Sequence, residues 1–275
     1  MTEDELILTH ILQCPRSELY LQKLQLTSSQ QQQFESTKAR RKNGEPLQYV
    51  LGCCEFYGLE FKVDKRVLIP RPETEVLVEL AIKRVAERGA VRILDLGTGS
   101  GNIAIALAKL LPGALVTTVD ISSDALDLAK ENAKIHGVEK RINFICADML
   151  SFVILSAAKD LKEHLDSSAS PQNDSNLFDV IISNPPYIPK AQIKILPVDV
   201  QREPALALEA GEDGLKFYRD IIKYTPPLLR EEGYLMMEFG DGQDKPIRAL
   251  FGSDFKVDIF KDLVGKERFL MARRI

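Results

Sequence analysis

Short apolar runs alternate with helical patterns between residues 91 and 148, and few folds accommodate that alternation. The runs Val91–Leu94, Leu115–Val119 and Ile142–Ala147 have the length and composition of buried strands. Helices are predicted between them, over residues 102–111 and 122–136. Strands that alternate with helices in this way predict a parallel sheet in an α/β fold. An acid follows each strand at the same edge of the sheet, namely Asp95, Asp120 and Asp148.

A glycine-rich turn lies between the first of these strands and its helix. Its residues are Gly97, Thr98, Gly99, Ser100 and Gly101. Glycines let the backbone approach a ligand closely, and the N–H groups at the start of a helix are free to bind one. Such a turn can hold a nicotinamide dinucleotide, a flavin or S-adenosylmethionine (SAM), so alone it is a weak signal. Asp120, 25 residues after Asp95, suits a ribose diol in any of these cofactors.

The position of Asp95 favours SAM. A carboxylate inside the turn would repel a pyrophosphate, whereas it can hold the ammonium group of a methionine moiety, directly or through water. Asp148 and Met149 would then face the adenine, one as an acceptor for its amine and the other as an apolar contact. The predicted cofactor-binding residues are Gly97, Thr98, Gly99, Ser100, Gly101, Asp120, Asp148, Met149 and Asn184.

A second motif, Asn-Pro-Pro-Tyr at 184–187, follows the apolar run Phe178–Ile182. Two prolines end any strand or helix because each lacks an N–H, so a stiff loop is predicted at the carboxyl end of a strand, where open α/β sheets bind ligands. The Asn184 side chain, the Pro185 carbonyl and the Tyr187 ring suit a planar –NH2 group. On its own, this motif favours a turn without a catalytic or binding role. For Tyr187 alone, packing in the hydrophobic core and a role in substrate binding are equal alternatives. The glycine turn upstream shifts the balance towards function.

Composition excludes several classes of function. The chain has 275 residues and a net charge of −4, which argues against binding a nucleic-acid backbone. Its four cysteines form no Cys-x-x-Cys or Cys/His cluster, and its three histidines are scattered, so neither a metal site nor a disulfide framework is expected. The acidic start lacks a signal-peptide pattern, and no apolar run has the length of a membrane span. A cytoplasmic location without membrane contact is predicted.

The first part of the chain has a different pattern. Residues 1–45 predict helices, one of which starts at the Thr27-Ser28-Ser29 cap and runs through a Gln-rich tract. Residues 46–72 alternate in part, through Leu47, Tyr49 and Leu51, and predict a β-hairpin linker.

Residues 73–275 would form the main α/β domain. Its further predicted elements are helices over 76–88 and 215–229, a strand over 234–239, and an antiparallel pair over 255–260 and 269–272. The proline pair Pro226-Pro227 can interrupt the second helix. The stretch 155–176 is polar and turn-forming, so it is interpreted as a surface insertion.

The two motifs together resemble those of class I SAM-dependent methyltransferases that act on planar amino or amide nitrogens. Further stretches narrow the resemblance to the PrmC/HemK family, whose members methylate the glutamine of the Gly-Gly-Gln motif in bacterial peptide chain release factors. These stretches are Glu45–Tyr49, Glu55–Leu59, Leu68–Glu75, Asp213–Leu215 and Lys261–Gly265. The resemblance runs from about Glu45 to the C-terminus, and the combination is far more specific than either motif alone.

The resemblance implies a Rossmann-like, seven-stranded, mostly parallel sheet with an antiparallel C-terminal pair, plus a small N-terminal helical domain that docks the substrate. It implies methyl transfer from SAM to glutamine N5, with S-adenosylhomocysteine as the product and no metal. Asn184 and Pro185 would be catalytic, as acceptors for the two N–H groups of the amide, and Pro186 and Tyr187 would complete the substrate site. The N-terminal helical region looks shorter than the helical bundle usual in the family. It would therefore offer a release factor a smaller docking surface.

Three other functions stay open at this stage. A glutamine methyltransferase acting on a ribosomal protein would use the same chemistry. An adenine-N6 DNA methyltransferase shares Asn-Pro-Pro-Tyr but would need a basic recognition region. A SAM-binding scaffold without activity is disfavoured by intact Asn184 and Asp120. The predicted partners are therefore release factors, with no direct contact to nucleic acid, and the chain is expected to be a monomer.

Overall fold

The computed structural model describes residues 2–21, 25–156 and 177–275. Most of the proposed insertion, residues 157–176, lies outside that range. This includes residues 157–165, for which the sequence also allows a short helix. His164 lies there too.

A seven-stranded sheet organises the larger part of the molecule. Its strands, numbered after the two hairpin strands described below, are β3 Val91–Leu96, β4 Ala114–Asp120, β5 Ile142–Cys146, β6 Phe178–Ser183, β7 Leu229–Glu238, β8 Phe255–Lys261 and β9 Glu267–Arg274. They lie in the order β5-β4-β3-β6-β7-β9-β8. β3 to β7 run parallel to one another, and β9 is antiparallel to both β7 and β8. The predicted mostly parallel sheet with an antiparallel C-terminal pair is confirmed.

Both faces of the sheet are covered, which agrees with the nearly continuous burial along β3 and β6. Ile93 of β3 packs into one hydrophobic cluster with the helices Thr74–Val85 and Asn102–Leu110. Leu94 and Leu96 of the same strand pack into the opposite cluster with Tyr218 and Ile221 of the helix Lys216–Tyr224. The sheet therefore forms a rigid base for the loops at its carboxyl edge. Further α-helices are Glu3–Leu12, Arg16–Leu21, Ser28–Lys42 and Ser123–Ile135.

The N-terminal helices form as predicted. The Ser28–Lys42 helix begins at Thr27, whose hydroxyl accepts from Gln30 N at 3.2 Å while the Gln30 side chain accepts from Thr27 N. This reciprocal cap satisfies two backbone donors at the start of the helix, so the Gln-rich tract is helical. The far end of the helix meets the main domain, where Arg202 donates to the Asn43 carbonyl at 3.0 Å.

The linker differs from the prediction. A two-stranded hairpin is present, with β1 Cys53–Phe56 paired to β2 Leu59–Lys62. Residues Leu47–Leu51 form a one-turn helix instead of joining it. Pro46 precedes this helix, and Gly52 ends it with a φ of 78° and an N–H donated to Gln48 O. That pairing of proline before and glycine after is typical of helix ends, and it outweighs the alternation of apolar residues.

Two later boundaries also move. The helix predicted over 215–229 spans Lys216–Tyr224, and a 3₁₀ turn at Pro226–Leu228 follows it. The next strand, β7, then starts at Leu229, five residues earlier than predicted. Both shifts follow from the proline pair, which cannot continue a helix. None of the helices in the described part of the chain has the length and hydrophobicity of a membrane span.

Candidate active site

The carboxyl ends of five parallel strands bring the predicted residues to one edge of the sheet. β3 leads into the glycine turn, β4 ends at Asp120, and β5 is followed by Asp148. On the other side of β3, β6 leads into Asn184, and β7 ends at Glu238. Because β3 and β6 are neighbours, the glycine turn and the Asn-Pro-Pro-Tyr loop start side by side.

The glycine turn is held against the end of β4. Gly97 N donates to Val119 O at 2.8 Å, and Gly99 N donates to Asp120 Oδ2 at 2.9 Å. The other carboxylate oxygen of Asp120 accepts from Ser122 N at 2.9 Å. Each carboxylate oxygen has a second lone pair, so half-buried Asp120 can still accept from a ribose diol. Burial raises the pKa of Asp120, and these backbone donors oppose that effect.

The three glycines of the turn have different surroundings. A Cβ added to Gly99, whose φ is 54°, would meet no atom within 4 Å. A Cβ on Gly97 would lie 3.4 Å from the Met149 methyl group, so the turn and Met149 border the same space. A Cβ on Gly101, whose φ is 83°, would lie 2.9 Å from Ile105 Cδ1 and 3.1 Å from Ala129 Cβ. Gly99 therefore borders an open cradle, whereas Gly101 allows two helices to pack closely.

Two polar atoms beneath this cradle have no protein partner. Asp95 is fully buried, and Thr118 donates to its Oδ2 at 3.3 Å, but its Oδ1 is unpaired. The Oγ1 atom of Thr98, which is 4% exposed, is unpaired as well. The Thr98 side chain lowers the pKa of the Asp95 carboxyl, so the two groups lie close together. Buried polar atoms are normally satisfied, and these two are available to ligand atoms. Burial raises the pKa of Asp95 to about 7, which a nearby cation would oppose. These residues fit a methionine moiety with its ammonium group.

The predicted adenine contacts lie at the far side of the cradle. Asp148 is exposed, and its Oδ1 accepts from Ser151 N at 2.9 Å, so one carboxylate oxygen is left for a ligand. Met149 is half-buried. A small cavity is lined by both residues and by Val153 and Phe217. An acceptor at the mouth of an apolar cavity suits a purine ring with an exocyclic amine.

The Asn-Pro-Pro-Tyr loop is stiff and anchored at both ends. Ser183 Oγ donates to the Leu96 carbonyl at 2.7 Å, which ties the start of the loop to β3. The side chain of Gln243 donates to the Tyr187 carbonyl at 3.0 Å and accepts from Gly240 N at 2.9 Å. Pro185 and Pro186 are buried, and Asn184 and Tyr187 are half-buried. Burial raises the pKa of Tyr187 to about 12, so its hydroxyl stays neutral.

The Asn184 amide has a partner that the sequence did not indicate. Its Nδ2 donates to Thr74 Oγ1 at 3.1 Å, and Thr74 Oγ1 donates to Glu238 Oε2 at 2.6 Å. In the sequence, Thr74 or a neighbour is a possible helix start, and Glu238 is interpreted as polar support or as a residue that lines the cleft. Neither pattern links these residues to Asn184. The sequence signal for Glu238 was its position at the end of a predicted strand, β7, which lies next to β6. Burial raises the pKa of Glu238 to about 7.

Glu203, His10 and His136 have structural contacts away from these loops. Glu203 is buried, accepts from Ile69 N at 3.0 Å and forms an ion pair with Arg71. His136 contacts the Glu60 carbonyl at 2.8 Å, and His10 lies beside Cys53. In the described ranges, no group of three or more His, Cys, Asp or Glu side chains is arranged to hold a metal ion.

Family models match two parts of the chain. A model described as a methyltransferase domain matches residues 87–245, and a model described as the PrmC N-terminal domain matches residues 2–52. The first covers the glycine turn and the Asn-Pro-Pro-Tyr loop, and the second covers the N-terminal helices.

Curated relatives cover almost the whole chain. A protein from Chlorobaculum tepidum named release factor glutamine methyltransferase is 43% identical over 274 residues, which is 97% of this chain and 87% of that protein. One of the same name from Thermodesulfovibrio yellowstonii is 35% identical over 277 residues, which is 99% of this chain and 92% of that protein.

Solved structures show the same fold at low identity. The hMettl16 catalytic domain in complex with MAT2A 3'UTR hairpin 1 aligns with a TM-score of 0.59 at 14% identity, over 98% of this chain and 90% of that one. A methyltransferase from Pyrococcus furiosus aligns with a TM-score of 0.52 at 16% identity, over 90% of this chain and 98% of that one.

Proposed function

Because the chain belongs to the release factor glutamine methyltransferase family, we propose that it transfers a methyl group from SAM to the side-chain amide nitrogen of the Gly-Gly-Gln glutamine in a bacterial peptide chain release factor. The observation that carries this proposal is the orientation of Asn184 next to the glycine turn. Its NH2 group points inward to Thr74, so its Oδ1 is free to accept an N–H from a substrate amide.

The glycine turn and its neighbours would hold SAM, which supplies an electrophilic methyl group when bound. Asp95 Oδ1 and Thr98 Oγ1 are two buried polar atoms of this turn without a hydrogen-bond partner, and they fit the polar end of a methionine moiety. Asp120 is assigned to the ribose hydroxyls, and Asp148 and Met149 to the adenine. The backbone at Gly97, Ser100 and Gly101 completes the site.

The reacting amide nitrogen is a poor nucleophile because its lone pair is delocalised into the carbonyl group. Asn184 Oδ1 and the Pro185 carbonyl accept its two N–H bonds, which fixes the plane of the amide and holds the nitrogen in place. The same two oxygens stabilise the positive charge that develops on the nitrogen. Tyr187, which has a neutral hydroxyl, packs beside the substrate side chain with Pro186. This chemistry needs no strong base at the site.

Several wider assignments accompany this proposal. Residues 1–45 would dock the release factor, and residues 73–275 would carry the catalytic site. Residues 46–72 would link these two domains. The chain would act as a cytoplasmic monomer, without a metal ion and without direct contact to nucleic acid. The net charge of −4 supports the last point, because binding a phosphate backbone needs a basic surface.

The test uses purified protein, SAM with a labelled methyl group, and separately a release factor, a ribosomal protein and duplex DNA. Mass spectrometry should find one added methyl group on the Gly-Gly-Gln glutamine. Asn184→Ala should abolish transfer while SAM affinity stays near wild type, and Asn143→Ala, at an exposed position on β5, is the matched control. Transfer to the ribosomal protein or to DNA, with none to the release factor, would contradict the substrate. No transfer to any acceptor would favour a scaffold.

A further inference from the structure

Three side chains from distant parts of the sequence form one hydrogen-bonded chain behind the substrate loop. Asn184 lies just after β6, Thr74 at the start of the helix Thr74–Val85, and Glu238 at the end of β7. Thr74 is 1% exposed and Glu238 is 3% exposed, so water does not compete for these bonds. The two links measure 3.1 Å and 2.6 Å.

The hydrogen bonds among Asn184, Thr74 and Glu238 run in one direction because a hydroxyl group has one proton. Thr74 donates that proton to Glu238, because this hydrogen bond is the shorter of the two and its acceptor is charged. Its oxygen can then only accept from Asn184, which must turn its NH2 group inward. Asn184 Oδ1 is left for the substrate. If the amide were reversed, its NH2 group would meet the substrate NH2 group, and two donors cannot bind each other.

We propose that Thr74 and Glu238 are positioning residues that hold the Asn184 amide in its acceptor orientation, and that the charge on Glu238 sets the direction of the chain. This inference rests on the proposed function, since it assigns to Asn184 the task of accepting a substrate N–H. Neither residue touches the reacting atoms.

Protonation of Glu238 would allow these hydrogen bonds to run in either direction. A neutral carboxyl can donate to Thr74, whose own proton is then free for Asn184 Oδ1, and the amide can reverse. Burial raises the pKa of Glu238, and nearby Glu73 adds to this, whereas Arg268 and Arg71 oppose it. The two tyrosines that face it are both neutral: Tyr218 donates to its backbone carbonyl at 2.8 Å, and burial raises the pKa of Tyr187 to about 12. Since the pKa of Glu238 is about 7, the active orientation should become more populated as the pH rises through neutrality.

The variants separate positioning from packing. Thr74→Val keeps the shape and removes the hydroxyl group, Thr74→Ser restores it, and Glu238→Gln can either donate or accept. With saturating SAM and a release factor, Thr74→Val should lower kcat by about 10- to 100-fold, with the SAM Kd within about twofold of wild type. Thr74→Ser should recover most of the rate. Thr225→Val, which removes a buried hydroxyl bonded to Ile221 O at 2.7 Å, is the matched control and should leave kcat unchanged.

The pH profile gives a second, independent measurement. In wild type, kcat should rise between about pH 6 and 8, and Glu238→Gln should flatten that rise because its amide does not titrate. The inference is overturned if folded Thr74→Val keeps the wild-type kcat, if Thr74→Ser does not restore it, or if wild-type kcat is flat across this range. The wild-type profile requires no variant to fold.

A spectroscopic readout distinguishes this inference from the proposed function. The Asn184 side-chain amide resonance, identified by its loss in Asn184→Ala, should titrate near pH 7 in wild type and not in Glu238→Gln. If it titrates but no release factor is methylated, the hydrogen-bonded chain stands and the proposed substrate fails. If methylation occurs but the resonance does not titrate, the inference fails and the function stands.

Discussion

Gly99→Ala should weaken SAM binding more than Gly101→Ala does, and Gly101→Ala should destabilise the fold more than Gly99→Ala does. Both glycines have a left-handed backbone, with φ of 54° and 83°, which costs an alanine about 1–2 kcal/mol. Only Gly101 adds a steric cost, because its Cβ would lie 2.9 Å from Ile105 Cδ1 and 3.1 Å from Ala129 Cβ. Overpacking of this kind costs about 1–3 kcal/mol.

The two variants should therefore differ in stability. Gly99→Ala loses about 1–2 kcal/mol, and Gly101→Ala about 2–5 kcal/mol when the two costs are added. At about 2–4 °C per kcal/mol, the expected drops in Tm are about 2–8 °C and about 4–20 °C. Scanning calorimetry without ligand measures both.

The order should reverse for SAM affinity. The Gly99 Cβ would enter the open cradle, where no protein atom lies within 4 Å, and a bound ligand would have to shift to avoid it. A clash of about 1.4–2.8 kcal/mol corresponds to a Kd raised about 10- to 100-fold, and titration calorimetry well below the Tm of each variant measures it. The folded Gly101→Ala protein should lose less affinity, since its methyl group points into the helix packing. Wild-type SAM affinity in a folded Gly99→Ala protein would refute the position of the cradle.

Two further predictions concern the acids of the cofactor site. Asp120→Ala should weaken SAM binding by about 1–3 kcal/mol, the cost of charge-assisted hydrogen bonds to the ribose, and unchanged affinity in a folded variant contradicts that role. The pKa of Asp95 is about 7 in the folded chain, well above its value of 3.8 without burial, so the folded state keeps a proton that the unfolded state releases. The stability of the ligand-free protein should thus fall as the pH rises from about 4 through 7, and Asp95→Asn should reduce that slope in a series of Tm measurements, whereas an unchanged slope argues against a buried, protonated Asp95.

Local signals in the sequence predicted the central sheet well. The strands β3, β4 and β5 are short apolar runs with glycine or proline at the helix ends between them, so their bounds shift by at most two residues at each end. The largest shift is at the end of β3, which continues through Asp95 to Leu96. The edge shared by the glycine turn and Asn184 was also predictable, because parallel strands place their carboxyl ends together.

Other features depend on contacts that the local pattern does not contain. Leu47–Leu51 alternates like a strand, yet Pro46 and Gly52 bound it as one helical turn with Leu47 and Tyr49 buried. The hydrogen bond between Thr74 and Glu238 joins residues 164 positions apart, and it forms because the helix Thr74–Val85 packs against β7. Its sequence signal is no more than a threonine and a glutamate.

The proline pair in the substrate loop has a consequence for discrimination between an amide and an acid. Pro185 and Pro186 have no N–H, and Asn184 directs its NH2 group towards Thr74, so Asn184 Oδ1 and the Pro185 carbonyl present oxygen lone pairs to the cleft. A glutamate carboxylate in the place of glutamine would bring further lone pairs and a negative charge against them. Deamidation of the acceptor would thus convert a substrate into a molecule that the loop repels, without any residue dedicated to rejecting it.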